Sequence, residues 1–158
     1  MHNVKNVRSA ELFPAVAELL QNDQKVRMTV TGNSMLPFLR ENIDSIELSS
    51  ISFHSLRLGS IPLIKRVSGQ YILHRLVWKR KNQFYIAGDA QNWVEGPLCP
   101  EQLVAVVTKV WRGNRSVSPF SILWQLASFL WWLRLPTRYV LKKPYKLIKK
   151  LLKKLLRG

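Results

Sequence analysis

Ser34 lies in the run Val30-Thr31-Gly32-Asn33-Ser34-Met35-Leu36-Pro37-Phe38, and His74-Arg75 and Gly88-Asp89 follow it along the chain. A serine hydroxyl is a weak nucleophile at neutral pH and needs a neighbouring base to take its proton. A histidine suits that task because its imidazole titrates near neutrality. A carboxylate behind the imidazole fixes its tautomer and stabilises the imidazolium. Chain order is free in such systems, so Ser34, His74 and Asp89 form a triad if the fold gathers them. Lys65, in Ile64-Lys65-Arg66-Val67, is a rival for the base, because a desolvated lysine can also deprotonate a serine. No His, Cys or carboxylate spacing suits a metal, and no cofactor motif is present. Cys99 is the only cysteine, so no intramolecular disulfide forms.

The elements that would position these residues read as mainly β. Ser9 caps a helix running to about Gln21, with Leu12, Val16, Leu19 and Leu20 on one face and Pro14 costing part of its first turns. Strands are expected over Val26 to Thr31, Ile43 to Leu48, Ile61 to Val67, Gln70 to Lys79, Gln83 to Ala87 and Leu103 to Trp111, with a hairpin at Arg80-Lys81-Asn82. Pro62 marks its strand as an edge. Many short strands separated by turns predict a coiled, barrel-like sheet. The expected organisation is an N-terminal helix over 1–24, a β domain over 25–112, a polar linker over 113–119 and a tail over 120–158.

Charge is concentrated in that tail. The chain carries 25 Lys and Arg against 9 Asp and Glu, a formal charge of +16. Residues 134–158 hold ten of the bases and no acid. Phe120 to Leu135 is apolar and rich in tryptophan (Trp124, Trp131, Trp132), and at about 16 residues it is short for a bilayer span of ~20. From Pro144 to Arg157, Leu147, Ile148, Leu151, Leu152, Leu155 and Leu156 share one half of a helix. Lys146, Lys149, Lys150, Lys153 and Lys154 occupy the other. That is the pattern of a helix lying in the headgroup plane of an anionic membrane. Nucleic acid suits the charge but leaves the leucine stripe without a partner. The expected location is peripheral, on the cytoplasmic face; the alternative is a single C-terminal span, which positive-inside bias would orient with its lysines inside.

The three boxes resemble a family. Gly32-Asn33-Ser34-Met35-Leu36-Pro37 is similar to the serine box of the signal peptidase I and LexA-like serine protease superfamily. Tyr71-Ile72-Leu73-His74-Arg75-Leu76-Val77 resembles the histidine box of its endoplasmic-reticulum and archaeal branch, and Ile86-Ala87-Gly88-Asp89-Ala90 resembles the Gly-Asp box that follows. The resemblance covers roughly residues 25 to 111. It implies a membrane-associated serine endopeptidase that cleaves a signal or leader peptide from a precursor, with Ser34 as nucleophile, His74 as base and Asp89 as the favoured acid, Glu95 being its rival because a second acid slightly downstream also matters in the endoplasmic-reticulum enzymes. Gly32, Met35, Pro37 and Phe38 would shape the oxyanion site and the cleft, and Asp44 would hold a structural turn. Gly59-Ser60 departs from the Gly-Asp pair of many relatives. Two other readings compete: an inactive membrane-binding module on the same fold, and a LexA-like DNA-binding regulator, for which no helix-turn-helix precedes residue 25.

Overall fold

The computed structural model describes residues 9–133. Within them the protein is mainly β, with a curled half-barrel sheet, an N-terminal helix and a second helix following the last strand. Helix α1 covers Ser9–Gln21 and runs through Pro14 unbroken. Its buried side is Phe13, Val16 and Leu20, whereas Leu12 and Leu19 are exposed. The buried stripe is therefore rotated from the one expected, toward Phe13.

Strands β1 (Val26–Thr29), β2 (Asp44–Ser49), β3 (Pro62–Lys65), β4 (Tyr71–Leu73), β5 (Arg75–Arg80), β6 (Gln83–Ala87), β7 (Glu95–Leu98), β8 (Leu103–Arg112) and β9 (Arg115–Val117) form two antiparallel sheets. The larger has the order β1-β2-β8-β3-β4, with β9 also on β8; the smaller is β5-β6-β7. Period-two alternation explains the main strands: β2 buries Asp44, Ile46 and Leu48 and turns its other residues outward. The core of the larger sheet gathers Ile46, Leu48, Leu63, Ala105, Val107 and Val110 with the buried side of α1; a second cluster of Leu56, Ile64, Leu76, Phe84, Ile86, Leu98 and Val106 underlies the smaller sheet.

Four expectations change. The strand expected over Gln70 to Lys79 is two strands that belong to different sheets, divided at His74. Leu73 pairs with Leu63 in the larger sheet and Arg75 pairs with Ala87 in the smaller, so the chain crosses between sheets at the histidine. β3 is an interior strand between β8 and β4, and Pro62 is tolerated because it is the strand's first residue. The linker expected over 113–119 contains β9, a hairpin return at Gly113, whose φ of 61° is left-handed and suits glycine. β7, built from Glu-Gly-Pro-Leu, lies in a stretch for which no strand is among those expected.

Helix α2 spans Ile122–Leu133. Ser121 caps it, its hydroxyl accepting from the Trp124 amide at 3.4 Å. No helix among the described residues is long and apolar enough to cross a membrane. The cationic helix expected over Pro144 to Arg157, with Lys146, Lys149, Lys150, Lys153 and Lys154, lies outside the described residues.

Candidate active site

Ser34 sits in the turn that leaves β1. Gly32 opens it with φ 82°, and a Cβ there would meet nothing within 4 Å, so the demand for glycine is conformational rather than steric. Met35 and Leu39, one helical turn apart, are buried and anchor the turn to the core, and Leu39 N–H closes on the Met35 carbonyl at 3.0 Å. Glu41 braces the other side. Its carboxylate accepts from the Gly32 amide and from the Asn33 side-chain amide, each at 2.8 Å. Asp44 holds the base of the turn. It is buried, accepts from the Arg40 amide at 3.0 Å and from the Arg40 guanidinium at 2.8 Å, and lies 3.7 Å from Arg112. Burial is the largest single influence on this carboxyl and pushes it up. The Arg40 hydrogen bonds and the charges of Arg112 and Arg40 together outweigh burial and hold it below the ordinary carboxylate value. That is the structural role expected of Asp44.

The Gly-Asp box locks onto this turn backbone to backbone. Ala90 N–H donates to the Ser34 carbonyl at 2.8 Å. A Cβ on Gly88 would lie 2.6 Å from the same oxygen, so only glycine allows the approach. The segment after β6 therefore fixes the peptide plane that follows the serine.

Ser34 and His74 line one cleft of about 490 Å³, together with Val30, Thr31, Gly32, Met35 and the whole of β4. Phe13 of α1 also lines it and stacks on Tyr71, ring centroids 4.7 Å apart. His74 is 3% exposed, and its Nδ1 is buried with no hydrogen-bond partner among the described residues. Trp93 packs edge-on against the imidazole at 6.1 Å. Burial lowers the imidazole below its ordinary value; the Glu95 carboxylate opposes this, Arg66 adds to it, and Asp89 opposes it more weakly than Glu95 does. The net effect favours the neutral imidazole. No hydrogen bond joins the Ser34 hydroxyl to the imidazole, although both residues line the same cleft.

Both candidate acids are engaged by arginine. Asp89 is 1% exposed and takes a bidentate pair from Arg75, Nε to Oδ1 at 2.7 Å and Nη2 to Oδ2 at 2.6 Å. Arg75 also reaches the Gly59 carbonyl at 2.9 Å. Glu95, on β7, accepts from Arg66 Nε at 2.6 Å and from Arg66 Nη2. Neither carboxylate bonds His74, so neither fills the triad's third position in this geometry. Lys65 is exposed, with its ammonium 5.7 Å from the Tyr71 ring centre. It lines a separate hollow of about 280 Å³ beside α1, with Ala17, Gln21 and Glu101, and not the cleft that holds Ser34.

Of the residues expected to shape the cleft, Gly32 and Met35 line it, whereas Pro37 and Phe38 do not. Phe38 turns toward α2, packing on Trp124 at 5.4 Å and Trp131 at 6.3 Å, with the Arg75 guanidinium 5.0 Å over its ring. The tryptophans assigned to the membrane face the domain instead. Trp124 is buried; Trp131 Nε1 donates to the Asp89 carbonyl at 2.8 Å, and Trp132 Nε1 donates to Asp89 Oδ1 at 3.2 Å. An indole N–H finds a better partner in a buried carboxylate or carbonyl than in hydrocarbon, which accounts for the inward facing of Trp131 and Trp132; Trp124 is held by burial and ring packing, its Nε1 having no hydrogen-bond partner among the described residues.

Glu41, Arg66 and Arg75 were not singled out as site residues from the sequence. Arg75 carried a signal: a charged residue between Leu73 and Leu76-Val77 in a buried strand needs a buried partner. Among the described residues no group of His, Cys, Asp and Glu could hold a metal. No family model, curated protein or solved structure matches the chain.

Proposed function

We propose that the protein is a serine endopeptidase of the signal-peptidase-like type, with Ser34 as nucleophile and His74 as general base. The observation that carries this reading is the meeting of Ser34 and His74, forty residues apart in sequence, on one cleft where the imidazole is buried and its ordinary value lowered. The Ser34 hydroxyl attacks a peptide carbonyl as His74 takes its proton. The Ser34 N–H, held by the clamped turn, faces the developing oxyanion. His74 returns the proton to the leaving amine, then deprotonates a water that releases the acyl group. Glu95 acts on the imidazole through charge, opposing the effect of burial, while Asp89 ties the Gly-Asp box to Arg75.

The substrate is an extended peptide. β4 ends the larger sheet, lines the cleft and offers an edge to which a strand can add. The Phe13–Tyr71 stack in the same cleft limits the bulk of a bound side chain. A signal or leader sequence fits this description.

The test is labelling by a fluorophosphonate probe, followed by cleavage of a panel of leader peptides. Labelling should map to Ser34 and vanish in Ser34→Ala and His74→Ala, while Lys65→Met labels like the wild type. Labelling that survives His74→Ala but not Lys65→Met would reassign the base. A wild-type protein that neither labels nor cleaves would favour the inactive membrane-binding module.

A further inference from the structure

Helix α2 presents its faces in an unusual sense. Its inward side holds the tryptophans and its two polar residues: Trp124 and Ser128 are buried, Ser128 Oγ donates to the Trp124 carbonyl at 2.6 Å, and Gln125 Nε2 donates to the Pro119 carbonyl at 2.6 Å. Its outward side is Ile122, Leu123, Leu126, Phe129, Leu130 and Leu133, from 53 to 85% exposed. These six fall on one continuous arc at 100° per residue, and no polar residue interrupts it. A helix on a domain in water shows the opposite arrangement. The patch extends beyond the helix, because Leu58 is also exposed and shares an apolar groove with Phe129 and Trp132.

We infer that the outward face of α2 is a lipid-contact surface, which seats the protein on an anionic bilayer with the helix lying in the interface. Charge supports the choice of occupant. The 25 residues that follow α2 directly carry ten Lys and Arg and no acid, so apolar insertion and attraction to anionic headgroups act on adjoining stretches of chain. Size argues against a second copy. A twelve-residue helix is about 18 Å long and about 10 Å wide, a few hundred Å² at most, whereas a stable dimer buries about 800 Å² on each partner. The inward face gives the surface a purpose. Through Phe38, Asp89 and Gln125 the same helix touches the serine turn, the Gly-Asp box and the Gly59 turn. α2 is then a rigid spacer that sets the height of the Ser34 cleft above the headgroups.

This inference stands apart from the peptidase reading, since binding requires no chemistry at Ser34. The test is co-sedimentation of the full-length protein with vesicles of phosphatidylcholine alone or mixed with phosphatidylglycerol. The wild type and Ser34→Ala should bind the mixed vesicles equally. Leu126→Glu and Phe129→Glu, both at exposed positions, should weaken binding by roughly ten- to a hundredfold. Val67→Glu, on the far more exposed β3–β4 turn, makes the same charge change away from α2 and should bind like the wild type. The inference is overturned by Phe129→Glu binding as well as wild type, by Val67→Glu losing as much as Phe129→Glu, or by Phe129→Glu dissociating a wild-type dimer in sedimentation velocity while vesicle binding is unchanged. A large fall in thermal stability of Phe129→Glu with intact vesicle binding also overturns it, showing that the face is covered by the protein's own chain.

Discussion

Replacing Asp89 by Asn separates a strut from a catalytic acid. The Arg75 guanidinium is 2% exposed and meets the carboxylate at 2.7 and 2.6 Å. Asparagine keeps the shape but removes the charge and turns amide donors toward guanidinium donors. Removing one partner of a buried ion pair costs about 3–5 kcal/mol, because the other charge is left uncompensated. That is a large share of a typical total of ~5–15 kcal/mol. For a chain of this size 1 kcal/mol moves the melting temperature by about 3 °C, so Asp89→Asn should lower it by roughly 10–15 °C. Arg75→Met should cost a similar amount. The double variant Arg75→Met with Asp89→Asn should be more stable than the sum of the two by about 2 kcal/mol or more, since the stranded charge is gone. The assay is thermal unfolding of the four proteins, paired with the rate of fluorophosphonate labelling below the lowest melting point. At that temperature Asp89→Asn should retain labelling. A melting temperature within about 2 °C of wild type, with labelling abolished, would refute the reasoning and make Asp89 a working acid.

Three further outcomes follow from the site. Because the Glu95 carboxylate raises His74 and Arg66 lowers it, Glu95→Gln should move the acid limb of the labelling–pH profile to lower pH, and Arg66→Gln should move it higher. The carboxyl of Asp44 is held below its ordinary value in the folded protein. Its contribution is therefore complete above the unfolded value of about 3.9 and is lost as pH falls through the folded value, so Asp44→Asn should flatten the acid limb of a stability–pH curve measured by urea unfolding below about pH 4. Glu41 accepts two hydrogen bonds from the serine turn; Glu41→Ala should cost about 1–2 kcal/mol and slow labelling at Ser34 more than it weakens peptide binding, read as a kcat rather than a KM effect in peptide cleavage.

Much of the fold was legible because period and length agreed. α1 and β6 have the bounds expected of them, and β8 runs one residue past its expected end, each being a run whose apolar spacing matches one element. The split at His74 was hidden because the residues on either side are alike in strand propensity; only pairing partners, which are distant in sequence, decide that β4 joins one sheet and β5 another. β7 and β9 were hidden for the opposite reason, since Gly96, Pro97 and the polar Arg115-Ser116 carry no strand propensity and are held by their neighbours. At the candidate site, the boxes singled out Ser34 and His74, and the two line one cleft. The arginine partners of Asp89 and Glu95 could not be named, because a carboxylate in a motif looks the same whether it faces an imidazole or a guanidinium. The facing of α2 was hidden on the same ground: tryptophan content points to an interface without saying which side of the helix meets it.

His74 is the single residue between the end of β4, which pairs in the larger sheet, and the start of β5, which pairs in the smaller. The serine turn hangs from the larger sheet and is clamped by residues that leave the smaller. The site is thus not portable as a loop. A graft of residues 30–39 onto another scaffold would carry Ser34 and leave His74 behind, and adding residues 71–77 would bring a histidine with no seam to hold it. The smallest transplantable unit is the pair of sheets together, and any redesign of cleft width would have to be made by re-angling one sheet against the other.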